Sequence, residues 1–119
     1  MEFNTRIPIY LQIIDKIKKD IILEKINKGE KLPSVRSMAA DLKVNVNTMQ
    51  RVYQELEREG VTYTQRGIGS FITEDEEVIQ NIKSDLANGL LESFTNGMKE
   101  LGYSNEKILN YVNKYLKED

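Results

Sequence analysis

Apolar residues recur along this chain at two different periods, and the change of period marks its parts. From Pro8 to about Ile26, Tyr10, Ile14, Ile17 and Ile21 return at the three-to-four spacing of one helix face, while Lys16, Lys18, Lys19 and Asp20 fall elsewhere. Pro8 suits a first helical turn, where its missing N–H has no intrahelical partner, and Asn27-Lys28-Gly29 reads as a stop. Residues 1–7 read as an irregular arm. Val35, Met38, Ala39 and Leu42 predict a second helix that runs to about Leu42. Pro33 holds Leu32 extended before it, and Ser34 is its N-cap. Met49, Val52, Tyr53 and Leu56 predict a third helix, about Asn47 to Glu59, ended by Gly60. Asn45 and Asn47 can each cap it, and Asn47 with Gln50 has the spacing of a capping box.

The period then shortens to two. Val61-Thr62-Tyr63-Thr64-Gln65 alternates apolar and polar, and Ser70-Phe71-Ile72-Thr73 does so less cleanly. Arg66-Gly67-Ile68-Gly69 joins them with two glycines, which predicts a β-hairpin. Helical spacing returns with Ile79, Ile82, Leu86, Leu90, Phe94, Met98 and Leu101. This long helix starts at a Thr73–Glu76 capping box, with Asp75, Glu76 and Glu77 suited to the positive end of its dipole. Gly102 ends it, and Ser104 caps a last helix whose apolar side is Ile108, Leu109, Val112, Tyr115 and Leu116. The expected fold is mainly α with a small β-hairpin. A winged helix-turn-helix occupies residues 1–73, and two C-terminal dimerisation helices occupy residues 74–119.

Composition narrows the chemistry. The 119 residues include no Cys and no His, which excludes disulfides, thiolate nucleophiles, imidazole metal ligands and the commonest general base. No Gly-rich phosphate loop and no nucleophile elbow is present, so the chain is not expected to be an enzyme or to need a cofactor or metal. No apolar run is long enough for a membrane span and no signal peptide is visible, so the expected compartment is the cytoplasm, with no membrane partner. The net charge of −2 conceals a division. Residues 1–73 hold twelve Lys and Arg against nine Asp and Glu, a net +3, and residues 74–119 hold five against ten, a net −5. That asymmetry suits a basic reading face followed by a tail with another task.

A recognition helix presents its N-terminal residues to base edges in the major groove. Here those are Asn45, Asn47, Thr48, Gln50 and Arg51, with Gln54 one turn on. Asn and Gln can pair with adenine and Arg with guanine. Arg36, just after the Ser34 cap, can reach a phosphate or the groove floor. Arg66 and Gly67 at the hairpin tip suit a minor groove, where the potential is strongly negative and glycine allows close approach. The ordinary alternatives are a capping Asn, a solvated polar face and a plain hairpin turn.

These residues carry a specific resemblance. KLPSVRSMAADLKVNVNTMQRVYQELEREG followed by TQRGIGSFI resembles the DNA-binding domain of the GntR family of bacterial transcription regulators. The shared pattern is a Leu-Pro-Ser-x-Arg lead-in, an Asn/Thr-rich helix start with a later Arg, a Leu-x-x-x-Gly stop and an Arg-Gly-x-Gly-x-Phe wing. With the first helix it covers roughly residues 7–73. The short two-helix tail is similar to the YtrA subfamily. The resemblance implies a dimeric regulator, usually a repressor, and for the YtrA-like group control of a nearby transporter operon. It also implies that Arg36, Asn47, Thr48, Arg51 and Gly67 stand where the family contacts DNA; Val46 departs from the polar or proline residue common in that turn.

The tail helix carries more apolar surface than one small domain covers, and pairing with a second copy matches the palindromic half-sites that such proteins read. Ile79, Ile82, Leu86, Leu90, Phe94 and Met98 are therefore the expected dimerisation residues. So short a tail argues against a small-molecule effector pocket. The expected partners are double-stranded DNA with a palindromic operator and a second copy of the chain. The alternative is a winged-helix protein-interaction module that touches no nucleic acid, but the stripe Asn47-Gln50-Arg51-Gln54 lacks the aromatic and aliphatic anchors such a face needs.

Overall fold

Burial begins with the isoleucines of α1 (Ile9–Ile22), where Ile13, Ile14, Ile17 and Ile21 are all buried. The computed structural model describes residues 1–118. After α1 come α2 (Val35–Leu42), α3 (Val46–Arg58), β1 (Thr62–Gln65), β2 (Gly69–Ile72), α4 (Glu76–Glu100) and α5 (Asn105–Glu118). The fold is a winged helix, mainly helical with one antiparallel hairpin. Two compact units divide the chain, Met1–Lys83 and Ser84–Asp119. The first turns of α4 thus belong with the winged helix rather than with the tail.

In the first unit α3 lies against α1 and α2. Met49, Val52 and Leu56 are fully buried on one side of α3, as are Ile13 of α1, Val61 and Ile72. Each such side chain contributes about 1.5–3 kcal/mol of burial. Ala39 of α2 is also buried, small enough for close helix approach. Lys18 of α1 pairs with Glu59 at the end of α3 at 3.0 Å. At the other end of α1, Gln12 pins the N-terminal arm by accepting from the Asn4 N–H and donating to the Asn4 and Ile7 carbonyls at 2.7–2.8 Å.

The helix ends hold two corrections. α1 stops at Ile22 rather than near Ile26, because Glu24 adopts the left-handed conformation at φ 59°. Its N–H donates to the Ile21 carbonyl, and that of Lys25 to the Asp20 carbonyl, a Schellman closure without glycine. Ile26 is turned back to line a hollow with Ile21, Ile22 and Ile79. At α4, Asp75 is the cap: its carboxylate accepts from the Glu77 N–H, while Thr73 accepts from the Asp75 N–H, so the Thr73–Glu76 box does not form. Ser34 and Ser104 cap α2 and α5 as their sequence positions imply.

The wing pairs Thr62 with Ile72 and Gln65 with Gly69, and Tyr63 stacks on Phe71 at 5.6 Å. A further stretch, unsuspected from the sequence, extends it. Leu32 donates to the Ser70 carbonyl at 2.8 Å, Gly29 to Ile72 and Ile72 back to Glu30, each at 2.9 Å. The link between α1 and α2 therefore runs along β2 and ties the wing to the base of the helix-turn-helix. From α3, the Tyr53 hydroxyl donates to the Pro33 carbonyl at 2.6 Å, bracing the same link. Burial pushes the Tyr53 phenol up to about 12.

Gly60 closes α3 at φ 76°, and a methyl there would meet nothing within 4 Å. Gly60→Ala is expected to cost about 1 kcal/mol from backbone strain alone, and Glu24→Gly to gain about 0.5 kcal/mol by relieving it, both read from urea unfolding midpoints. Tyr53→Phe should cost about 1 kcal/mol. Because the folded phenol holds its proton above the unfolded value, the Tyr53 contribution is full below about pH 10 and is lost as pH rises toward 12. Unfolding of wild type and Tyr53→Phe compared between pH 9 and pH 12 checks this; a parallel decline in both would refute it.

Candidate nucleic-acid interface

With Met49, Val52 and Leu56 buried, the helical period leaves Asn47, Gln50, Arg51 and Gln54 exposed within an arc of about 100°. Thr48 is half-buried at its edge. The cap is Asn45, whose carboxamide oxygen accepts from the Asn47 N–H at 2.7 Å. The Asn47–Gln50 capping box is therefore not used, and Asn47 stays free on the exposed face. Lys43 forms the turn between α2 and α3 in the left-handed conformation at φ 57°. The Ser34 hydroxyl accepts from the Ser37 N–H at 3.1 Å, and Arg36 is exposed on the first turn of α2. Arg66 and Gly67 stand exposed at the wing tip, where Gly67 takes φ 79° and Ile68 donates to the Gln65 carbonyl. Ile68 is 56% exposed there, an apolar tip residue not anticipated from the sequence.

Charge is sorted by element. No acidic residue lies in the first turn of α1, α2 or α3, whereas α4 has Glu76 and Glu77 there and α5 has Glu106. The N-termini of α2 and α3 thus keep their positive dipole ends, which suit phosphate. Among the described residues, ion pairs engage Lys16, Lys18, Lys28 and Arg58. Arg36, Arg51 and Arg66 are in none of them. Arg58 holds Glu55 at 2.7 and 3.1 Å, and that hydrogen bond lowers the Glu55 carboxyl below its usual range. Glu76 is lowered likewise by Lys28. Arg51 makes a different contact: its guanidinium carbon lies 3.7 Å from the Tyr10 ring centre, and Nη2 donates to the Tyr10 hydroxyl at 3.0 Å. No spacing rule links residues so far apart in sequence, so Tyr10 escaped notice as a site residue. Among the described residues no carboxylate cluster could hold a metal, and no helix is long and apolar enough to cross a membrane.

The tail residues divide. Ile79 and Ile82, assigned from periodicity to a dimer face, are instead 8% and 6% exposed, covered within the protomer. A stripe of regular spacing marks a buried face without saying which partner buries it. Leu86 and Met98 are half-buried, and Leu90 and Phe94 are exposed. Within the second unit, Phe94, Met98, Leu101, Tyr111, Val112 and Leu116 help line an open apolar groove of about 470 Å³. Tyr103 and Tyr111 meet edge to face at 5.1 Å. Leu91, Leu101, Leu109 and Tyr115 add apolar surface absent from the expected dimer set.

A family model for bacterial regulatory proteins of the gntR family matches residues 9–72. The chain is 44% identical over 114 residues to the uncharacterized HTH-type transcriptional regulator YhcF of Bacillus subtilis, covering 96% of this chain and 94% of that one. It is 39% identical over 94 residues to the HTH-type transcriptional repressor YtrA of the same organism, covering 79% and 68%. Among solved structures, a GntR family transcriptional regulator from Listeria monocytogenes superposes with a TM-score of 0.85 at 42% identity, over 94% of this chain and 98% of that one. YtrA from Sulfolobus acidocaldarius, a GntR-family transcription factor, superposes with a TM-score of 0.58 at 28% identity, over 99% and 96%. The chain belongs to the GntR family of bacterial regulatory proteins, as a YtrA-like transcriptional regulator of helix-turn-helix type and not an enzyme.

Proposed function

We propose that the protein is a homodimeric, sequence-specific DNA-binding repressor that reads one half of a palindromic operator with each protomer. The observation that carries the DNA reading is that three exposed arginines, Arg36, Arg51 and Arg66, join none of the ion pairs among the described residues and are distributed over α2, α3 and the wing tip. Asn47, Gln50, Arg51 and Gln54 face base edges; Ser34, Asn45 and Thr48 support the backbone approach; Arg66 and Gly67 enter the adjoining minor groove. The repressor role is supported by the similarity to the repressor YtrA of Bacillus subtilis. A neighbouring transporter operon is the target that the family resemblance suggests, and a chromosomal target puts the protein in the cytoplasm.

Residues 74–119 supply the dimer contact in this reading. Ile108 is the buried apolar side chain of the second unit, while Leu90, Leu101, Leu109, Tyr115 and Leu116 are 63–74% exposed. So much exposed apolar surface marks an interface. Its participants are Leu90, Phe94 and Met98 with the exposed face of α5, without Ile79 and Ile82.

Selection of bound sequences from a random duplex pool should return an inverted repeat. Arg51→Ala should then relax preference at one position per half-site, by about 1–3 kcal/mol, while Arg66→Ala should weaken all duplexes alike and flatten the salt dependence. Recovery of no duplex at low salt would favour the protein-interaction alternative. Leu90→Asp leaves the protomer core untouched and should shift sedimentation from dimer to monomer. Operator affinity should fall toward that of a single half-site; an unchanged sedimentation coefficient would remove α4 from the interface.

A further inference from the structure

The contact between Arg51 and Tyr10 is unlike the other charge contacts of the first unit. Four cations there are matched by carboxylates at 2.7–3.1 Å. Arg51 has such a partner within reach in sequence, since Glu55 is four residues on, the usual spacing for a helix ion pair. Glu55 is instead held by both Nε and Nη2 of Arg58. Arg51 turns to an aromatic face and a phenol oxygen on another helix. The consequence is chemical. A carboxylate would orient the guanidinium but neutralise it, and would compete with every acceptor on DNA. A tyrosine ring orients it through the cation–π attraction and one hydrogen bond while leaving the charge in place. Only one Arg51 donor is used, and the others make no hydrogen bond among the described residues.

Tyr10 is well placed for this task. It is half-buried near the start of α1, three residues before the fully buried Ile13, so its ring has a fixed base. The arm before it is pinned through Gln12. An exposed arginine carries several free rotors, and ordering them on binding weakens association. A guanidinium already stacked and hydrogen-bonded has part of that order before DNA arrives.

We infer that Tyr10 is a positioning residue for base reading: the Tyr10 ring and hydroxyl on α1 hold the Arg51 guanidinium in a charged, donor-competent orientation on the exposed face of α3. The inference rests on the DNA-reading function proposed above and identifies a determinant of specificity outside the helix-turn-helix.

The test is a double-mutant cycle on the full chain, with the duplex selected by the wild type and its single-base variants as probes. The variants are Tyr10→Leu, Tyr10→Phe and Arg51→Ala, alone and with Tyr10→Leu combined with Arg51→Ala. Tyr10→Leu keeps an apolar side chain on α1, and matching thermal midpoints establish that the fold is intact. The expected result is a loss of roughly two- to tenfold in discrimination at the base positions that Arg51→Ala affects, with no further loss in the double variant. Tyr10→Phe, which keeps the ring, should retain most of the discrimination. Equal weakening on all duplexes, or a full additional loss in the Arg51→Ala background, would show that Tyr10 acts on its own account and overturn the inference. Unchanged discrimination in Tyr10→Leu would overturn it too. A wild type that selects no duplex would remove the DNA-reading proposal, and this inference with it, before any variant is compared.

Discussion

Everything at the reading face depends on how α1 and α3 are packed. Two contacts between them share one sequence offset: Tyr10 meets Arg51, and Lys18 meets Glu59. The contacts are eight residues apart on each helix, so the two helices run side by side in the same sense over about 12 Å. Between the contacts lie Ile13, Ile14 and Ile17 on one helix and Val52 and Leu56 on the other, all buried, with Met49 buried one turn earlier. Turning α3 by a single residue position, about 100°, would carry Gln50 or Arg51 toward that apolar core, where an unpaired polar group costs several kcal/mol. The stripe Asn47-Gln50-Arg51-Gln54 is held outward by what it would cost to bring it in.

The same packing explains how a chain of net charge −2 can face a polyanion. The acidic residues of α3 are confined to its last turns, as Glu55 and Glu57, with Glu59 just beyond, and Arg58 and Lys18 neutralise two of them. The N-terminal turns of α1, α2 and α3 are thus free of acid, and the acidic excess lies in residues beyond the wing. Net charge is a poor guide to a nucleic-acid partner when the charges are sorted by helix end.

Much of this was legible in advance because it rests on local rules. The apolar periods of α1, α2 and α3, the Ser34 cap, the glycine stops and the hairpin alternation each depend on residues within one or two turns of one another. What escaped depends on residues far apart. Lys31 and Leu32 pair with β2 because α1 and α2 bring them beside it; Pro33 signals an extended Leu32 but not the strand it would meet. α1 ends at a glutamate in a left-handed conformation, and the chain beyond it places a half-buried Ile26 in the hollow that Ile79 also lines, a contact across more than fifty residues. The choice of Asn45 over Asn47 as cap was open in the sequence, since both have the chemistry; the fold gives it to Asn45 and leaves Asn47 on the exposed face. Among the candidate reading residues, periodicity found the face, but the Tyr10 support for Arg51 is a tertiary contact and leaves no local trace.

The tail shows the limit of periodicity most clearly. From Ile79 to Met98 the spacing is continuous, yet the first two positions are buried within Met1–Lys83 while Leu90 and Phe94 are exposed in Ser84–Asp119. One helix therefore serves two different burials. The first unit has a core of its own, built from α1, α2, α3 and the wing. The second unit leaves most of its large apolar side chains exposed, with Ile108 buried among them. In the proposed dimer, the partner supplies the missing burial, so the stability of α5 and the later turns of α4 depends on protomer concentration, while that of the winged helix does not.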